Sequence, residues 1–310
     1  MGMVYAQLCV ADSWNRVIPY SDNTQRALQE YFTANGVDLK EIHFPVGDDV
    51  HELPFSFKPK RVRTPAITLN SLGDFHHRTY FLLNGLRRPV AYVHIDAHPD
   101  SNDWQENMVR YNNFVHHLQQ NTHITEMHFF GLTPSHILTW FSWLTGDEWP
   151  VPYMPQEQSP KFRVHLAQRI ADWQKEYRKR KDSMFKDDNI KFILDHESMF
   201  LHEEAFTGGD VENPDVYISI DLDAIPDFPT AYMHEGVMTL ERIMAVIEKI
   251  GREHHIIGAD IVGLDASRAN GNLTTALDQI HLLYTVLHEH MVKPERPIPK
   301  PAVASHSSHQ

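Results

Sequence analysis

The stretch AYVHIDAHPDSND, residues 91–103, begins as an apolar run and ends in a group of polar side chains. The apolar run ends at Ile95, and ligand-type side chains follow at alternate positions: Asp96, His98 and Asp100. In an extended chain, residues two apart share a face. The stretch therefore predicts a buried strand whose carboxyl end carries three converging polar groups.

A second stretch, VYISIDLDAI (residues 216–225), has the same build and ends in Asp221 and Asp223. Parallel α/β sheets bind ligands at the carboxyl ends of their strands, so we expect both sets of side chains in one crevice. Four carboxylates packed together would raise one another's pKa and cost several kcal/mol if they were buried. A multivalent cation removes that cost.

The donor set indicates which metal such a site would take. Carboxylates with one or two imidazoles suit Mn²⁺, with Zn²⁺, Fe²⁺ and Co²⁺ as alternatives, whereas Mg²⁺ usually has fewer protein ligands. Four carboxylates exceed the needs of one ion, so we predict two. Two ions about 3.5–4 Å apart can share a water, lower its pKa and present hydroxide at neutral pH. Alternatively, the acidic residues are helix caps and solvated loops. That interpretation suits the second motif alone better than both motifs together.

The rest of the chain alternates short apolar runs with helical patterns, which predicts a parallel sheet covered on both faces. Further predicted strands lie at 126–133, 190–197 and 256–265, and predicted helices at 23–36, 77–86, 112–121, 167–185, 239–254 and 273–291. Residues 51–70 look extended and rich in loops. We expect one domain over residues 1–291, followed by a Pro- and Ser-rich disordered tail at 292–310.

Composition narrows the classes of partner. The formal charge is −13, from 41 acidic and 28 basic side chains, which argues against a nucleic-acid partner. No apolar run reaches membrane-spanning length, and the first residues do not resemble a secretory signal. A single cysteine, Cys9, fits a reducing compartment. We therefore expect a cytoplasmic protein that acts on a small molecule or peptide. A homo-oligomer is compatible with the sequence.

The two motifs resemble the signatures of the ureohydrolase (arginase/agmatinase) superfamily. HIDAHPDSN (94–102) is similar to the first signature, and SIDLDAIPD (219–227) to the second. The order of elements agrees from about residue 70 to 290, whereas the first seventy residues match poorly. The resemblance implies a three-layer α/β/α fold with a mainly parallel eight-stranded sheet. It also implies a dimanganese centre and hydrolysis of a guanidino C–N bond.

Transferred to this sequence, the resemblance implies six metal ligands: His76, Asp96, His98, Asp100, Asp221 and Asp223. Asp96 and Asp221 would bridge the ions. His98 and Asp223 would complete one ion, and His76 and Asp100 the other. In the family a histidine follows Gly-Asp directly, but here Phe75 intervenes. His77 and Asp74 are therefore alternatives to His76, which could also be a surface residue at a helix start.

The family also uses a histidine in a later loop to pass a proton to the leaving amine. NNFVHHL (112–118) lies in the corresponding region, so His116 or His117 could serve. A histidine suits this role because it titrates near neutrality, although the pair could also lie on a helix surface. By the same resemblance, the metal-bridging hydroxide would attack the guanidinium carbon, and Asp223 would orient it.

Three positions bear on the substrate. Gly263 falls where arginases carry the glutamate that holds the guanidinium, which leaves Asp265, Asp195 and Glu197 as candidates. The aspartates that arginases carry after Gly-Leu-Arg, one of which helps to read the free α-amino group, are missing from GLTPSHI (131–137). Asn102 matches a residue that helps to read the α-carboxylate.

Loss of the aspartate that reads the α-amino group favours a substrate without a free amino acid backbone. The form DAHPD (96–100) and the altered helix before it also resemble the divergent branch that includes peptide arginases, which convert arginine within a peptide to ornithine and release urea. Free arginine, agmatine and other guanidino compounds are alternative substrates. A metal-dependent amide deacetylase of the same superfamily is a second alternative, although such enzymes use one zinc ion and a single Asp-His-Asp set. An inactive relative that binds metal is the third.

Overall fold

The computed structural model describes residues 3–11, 19–44, 52–59, 64–86, 88–102, 108–121, 123–133, 136–137, 161–166, 200–231 and 236–292. Within these ranges there are five α-helices: α1 (Pro19–Ala34), α2 (Arg78–Asn84), α3 (Phe114–Gln119), α4 (Leu240–Glu253) and α5 (Leu273–Met291). None of these described helices has the length and apolar character needed to cross a membrane.

The described ranges contain eleven strands: β1 (Tyr5–Ala11), β2 (Leu39–Phe44), β3 (Glu52–Pro54), β4 (Ala66–Leu72), β5 (Val90–Ile95), β6 (Met108–Arg110), β7 (Ile124–Phe130), β8 (Lys161–Leu166), β9 (Phe200–His202), β10 (Asp215–Asp221) and β11 (His255–Gly263). Nine of them form one parallel sheet in the order β2-β1-β4-β11-β10-β5-β7-β8-β9. The short strands β3 and β6 pair antiparallel.

Helices cover both faces of this sheet. Every residue of β4 and β5 is buried, as is typical of a parallel strand between two helical layers. Alternate residues of β5 enter different cores: Val93 packs in the core that contains α1, α4 and α5, and Tyr92 in the one that contains α2 and α3. The predicted three-layer α/β/α fold is confirmed. The expected count of eight strands becomes nine, with the three-residue β9 at one edge of the sheet.

The first seventy residues, which match the family motifs poorly, supply part of the sheet. β1 lies between β2 and β4, with Tyr5–Leu8 paired to Ala66–Leu69. The helix predicted at 23–36 is α1, and Gly36 follows it with a φ of +79°. The predicted strand at 190–197, the predicted helix at 167–185 and residues 293–310 of the predicted tail lie outside the described residues. The single-domain span stays a prediction.

The strand order explains where a site can form. The chain leaves β4 and returns as β5, and the later strands β10 and β11 fill the space between them. Four neighbouring strands, β4, β11, β10 and β5, therefore end at the same edge of the sheet. A crevice at such a reversal of strand order is the usual ligand site of an open parallel sheet.

Candidate metal centre

All six predicted ligands come together at this edge. Asp96 follows β5 directly, and Asp221 is the last residue of β10. Asp223 lies in the 3-10 turn Leu222–Ala224, and His76 follows the 3-10 turn Gly73–Phe75 after β4. His76 is 1% exposed, and its carboxylate neighbours are also largely buried. His98, at 29%, is the most exposed side chain of the six.

His76 lies among three carboxylates. Its Nδ1 is 3.0 Å from Asp100 Oδ2, 3.1 Å from Asp96 Oδ2 and 3.5 Å from Asp221 Oδ2. The Nδ1 of His77, in contrast, lies 3.2 Å from the backbone carbonyl of Asp74. The geometry therefore favours His76 over His77 as the ligand. The alternative of a surface histidine does not fit a side chain that is this deeply buried.

His98 lies against a different pair of carboxylates. Its Nδ1 is 2.8 Å from Asp223 Oδ2 and 3.4 Å from Asp96 Oδ1. The two oxygens of Asp96 thus face different imidazoles, with Oδ1 towards His98 and Oδ2 towards His76. Among the residues that the structure describes, ligand-type atoms within 4.8 Å of one another form two groups, His76/His94/Asp96 and Asp96/His98/Asp223, which share Asp96. This arrangement suits a carboxylate that bridges two ions.

Backbone groups hold the carboxylates in place. The amide of Asp223 donates to Asp221 Oδ1 at 3.0 Å, and the amide of Ala97 donates to Asp223 Oδ1 at 3.2 Å. The amide of His98 donates to Asp96 Oδ1 at 2.6 Å. Asp100 has a φ of +44°, a conformation that costs a non-glycine residue roughly 1–3 kcal/mol. The surrounding structure maintains this strained backbone at the centre of the site.

The electrostatics of the cluster are those expected of a site for a multivalent cation. Burial, reinforced by the charge of Asp96, raises the pKa of Asp223 to about 7 and also raises the pKa of Asp100. Burial, followed by the charges of Asp223 and Asp96, raises the pKa of Asp221 well above its usual range. Four carboxylates face two predicted imidazole ligands, so negative groups are in excess even when both rings are protonated.

The histidines respond in the opposite sense. Burial acts to lower the pKa of His98, but hydrogen bonds and charge from Asp223 and Asp96 outweigh it and raise the pKa to about 12. Burial likewise opposes protonation of His76, but Asp100 and Asp96 raise its pKa well above 6.5. For Asp96, the three neighbouring histidines outweigh burial and hold the pKa well below its usual range. These shifts mark where a divalent cation would replace protons.

A buried chain of hydrogen bonds sets the tautomer of His76. Ser219 Oγ donates to Asp260 Oδ1 at 2.9 Å, and Thr79 Oγ1 donates to the same oxygen at 2.9 Å. Because a hydroxyl has one proton, Ser219 must accept the bond to His76 Nε2, 2.8 Å away. Nε2 therefore carries hydrogen, and in the neutral ring Nδ1 presents a lone pair to the carboxylates.

The orientation of His76 is therefore a test of whether a metal fits. A lone pair that faces three carboxylates is repulsive unless a proton or a metal ion lies between them. His76 Nδ1 and Asp96 Oδ2 are both buried and make no hydrogen bond, although they are only 3.1 Å apart. The residues present thus fit a metal centre. Ser219 and Asp260 orient the His76 ring by holding Nε2, on the opposite side of the ring from the carboxylates.

Replacing Ser219 by Ala should weaken this metal centre selectively. The variant removes the acceptor that holds His76 Nε2–H, and loss of such a supporting partner typically lowers metal affinity by about 10–100-fold. Equilibrium dialysis against Mn²⁺ would measure the change. Thr79→Val is the matched control, because it removes the other donor to Asp260 and leaves the bond between His76 and Ser219. Equal affinities for Ser219→Ala and the wild type would contradict the assigned tautomer.

His94 is a supporting residue that the sequence reasoning missed. It shares a strand face with Asp96, and its Nε2 lies 3.3 Å from Asp96 Oδ2 and 3.0 Å from the carbonyl of His98. Since that carbonyl can only accept, Nε2 carries hydrogen, and Nδ1 is left to accept from the hydroxyl of Tyr92 at 2.9 Å. Hydrogen bonds thus account for both nitrogens. The available signal was its position two residues before Asp96.

Gly263 cannot carry the glutamate found there in arginases. Its φ is +115°, and a Cβ at this position would lie 2.5 Å from Asp221 Oδ1. Among the alternative carboxylates, Asp265 is buried and accepts hydrogen bonds from Ser267 and Arg268. A guanidinium would have to compete with these contacts. Asp195 and Glu197 lie outside the described residues.

The other predicted site residues lie on neighbouring elements. Asn102 is half-buried, and its backbone N–H donates to the backbone carbonyl of Asn112 at 2.9 Å. His116 and His117 are each 8% exposed on α3, which excludes a surface pair. The ring of His117 lies 4.6 Å from that of Phe55, and His116 Nε2 lies 3.4 Å from the side chain of Gln120. The ring of α3 that packs on His76 is Phe114, at 4.7 Å.

Comparison with solved structures shows the same fold. The protein is similar to proclavaminate amidino hydrolase from Streptomyces clavuligerus, with a TM-score of 0.51 and 14% identity over 93% of this chain and 91% of that one. A hypothetical agmatinase from Burkholderia thailandensis gives a TM-score of 0.52 and 13% identity over 93% and 85%. Arginase from Bacillus subtilis gives 0.50 and 11% over 94% and 99%.

Comparison of the sequence identifies the family. Curated protein sequences give no match. The sequence model of the Arginase family matches residues 66–288, which is more than half of the chain and includes all six predicted metal ligands. The matched segment begins with β4 and includes the four adjacent strands that end at the cluster. The chain therefore belongs to the arginase family.

Proposed function

We propose that the protein is a dimanganese hydrolase that cleaves the guanidino C–N bond of arginine within a peptide, giving ornithine and urea. The observation that carries this proposal is the cluster of four carboxylates and two imidazoles, in which the two oxygens of Asp96 face different histidines. Such a set fits a centre of two ions better than it fits the one-zinc centre of a deacetylase, which uses a single Asp-His-Asp set.

In this proposal each ion has its own imidazole. His98 and Asp223 would hold one ion, His76 and Asp100 would hold the other, and Asp96 and Asp221 would contribute to both. The donor set of carboxylates and imidazoles suits Mn²⁺. When bound, the two ions would supply Lewis acidity and a water of lowered pKa.

The residues of the chain orient the reactants and supply the proton. Water adds to the guanidinium carbon, the bond from that carbon to the side-chain nitrogen breaks, and the departing amine takes up a proton. Asp223 is the proposed residue that orients the attacking water, and the amide of Ala97 limits the motion of its carboxylate by donating to Oδ1. The proposed proton donors are His116 or His117 of α3, since an imidazole titrates near neutrality.

The residues around the cluster are the basis for the proposed substrate. The GLTPSHI loop after β7 has no carboxylate to bind a free α-amino group, and the backbone at Gly263 excludes a glutamate. The first feature favours a substrate whose arginine lacks a free amino acid backbone, and the second means that another carboxylate would have to hold the guanidinium. Asn102, Asp265 and Glu197 are the proposed contacts for the remainder of the substrate. The names of the similar structures cover several guanidino compounds, so the fold alone does not select among substrates.

The test pairs metal content with product. The protein would be loaded with Mn²⁺ and given an Arg-containing peptide with blocked termini, free arginine or agmatine, and urea and ornithine would be measured. About two ions per chain and urea from the peptide alone would support the proposal. Urea from free arginine or agmatine alone would overturn the peptide substrate. Two ions with no urea from any of them would overturn the hydrolysis itself, and acetylated amines would be tested next.

A further inference from the structure

The loop after β7 places a histidine beside the metal centre. The ring of His136 lies 4.3 Å from the ring of His98, with 47° between the planes. His136 is half-buried, and it falls within GLTPSHI, where the family's aspartates are missing. The metal-ligand assignment leaves this residue without a role.

The hydrogen bonds of His136 define its tautomer. Its Nδ1 lies 3.0 Å from the carbonyl oxygen of Ala97 and 2.8 Å from Thr133 Oγ1. Since a backbone carbonyl can only accept, Nδ1 must carry the hydrogen. The amide of Thr133 donates to the same carbonyl at 3.1 Å. The loop therefore holds the Ala97 carbonyl with two donors.

Ala97 is the residue between two metal ligands, Asp96 and His98. Its amide donates to Asp223 Oδ1 at 3.2 Å, so one peptide group is tied to a ligand and the next is tied to the loop. His98 is the most exposed of the six proposed ligands. Because fewer packing contacts surround an exposed ring, a neighbour that limits side-chain motion should matter more for His98 than for the other five.

We propose that His136 is a positioning residue for the metal ligand His98. Its Nδ1–H anchors the peptide that precedes His98, and its ring packs on the imidazole and keeps His98 Nδ1 directed at Asp223 and Asp96. The role rests on the proposed metal centre, but it does not depend on which guanidino compound is the substrate.

Three variants of the full chain test this role. His136→Ala removes the donor and the ring. His136→Asn places an amide N–H near the position of Nδ1, where it can still donate to the Ala97 carbonyl. His136→Gln places its amide nearer the position of Nε2. Stepwise Mn²⁺ binding to each variant would be measured by equilibrium dialysis without substrate, and unfolding of the metal-free forms would check that each variant folds.

We expect His136→Ala to lower the affinity for one of the two Mn²⁺ ions by about 10–100-fold, the usual effect of losing a residue that orients a ligand. His136→Asn should recover most of that affinity, and His136→Gln should not. Wild-type affinity in His136→Ala would overturn the role, and so would recovery by Gln but not by Asn. If His136→Ala does not fold, the Asn and Gln variants decide by the same criterion. Failure of the wild type to bind Mn²⁺ would instead overturn the proposed metal centre.

Discussion

Replacing Asp96 by Asn should abolish binding of both Mn²⁺ ions and lower urea formation by roughly a thousandfold or more. The reason is geometric, because each carboxylate oxygen of Asp96 faces a different imidazole, at 3.1 Å from His76 and 3.4 Å from His98. An amide has one weaker acceptor and one donor in their place. Metal ions contribute several kcal/mol to such reactions, and each 1.36 kcal/mol is tenfold in rate.

Metal analysis after dialysis and the urea assay would measure the two effects. Asp215→Asn is the matched control, because Asp215 begins β10 at the other end of the sheet and pairs with Arg88 and His255. The control should keep two ions and full activity. An Asp96→Asn protein that retains both ions would show that Asp96 does not bridge them.

Replacing Gly263 by Ala should damage the metal centre and the fold together. The added Cβ would lie 2.5 Å from Asp221 Oδ1 and 3.1 Å from the amide of Leu222, so Asp221 must move. The φ of +115° adds backbone strain of roughly 1–3 kcal/mol. We expect Mn²⁺ affinity to fall by about 100-fold, at the upper end of the effects of mutating a supporting residue, because Asp221, a proposed ligand of both ions, is itself displaced.

Gly271→Ala separates the two effects. Gly271 also has a positive φ, +89°, but nothing lies within 4 Å of the Cβ position. The Gly271→Ala protein should have a lower free energy of unfolding, measured with urea as the denaturant, and should still bind two Mn²⁺ ions. Metal binding by Gly263→Ala equal to that of Gly271→Ala would contradict the contact with Asp221. By the same geometry, Gly263→Glu should lose metal rather than create the guanidinium site of arginases.

Sequence reasoning found most of the cluster because the information is local. Asp96, His98 and Asp100 follow one strand at alternate positions, and Asp221 and Asp223 follow another. Two rules suffice to bring them together: residues two apart share a face of an extended chain, and ligands bind at the carboxyl ends of parallel strands. Because these rules use only residues that are close in sequence, they could not distinguish His76 from His77 as the metal ligand. The choice between them depends on how a 3-10 turn directs each ring.

Two of the residues that sequence reasoning missed, Ser219 and His136, act between segments that are distant in sequence. Ser219 pairs with Asp260 on the adjacent strand β11, and together they orient His76 from the sheet. His136 reaches the peptide before His98 from the loop after β7. Neither relationship has a fixed spacing along the chain. Both depend on strands that are distant in sequence and adjacent in the sheet.

By itself the sequence determined the class of fold, the edge of the sheet that carries the site, and five of the six proposed ligands. Strand periodicity and the succession of strands and helices along the chain follow from local patterns of apolar residues, so one chain is enough to predict them. Only the tertiary structure decided that His76 faces the carboxylates, that Gly263 leaves no room for a side chain, and that β1 and β2 extend the sheet. These features depend on which atoms lie within a few ångströms after distant segments have packed together.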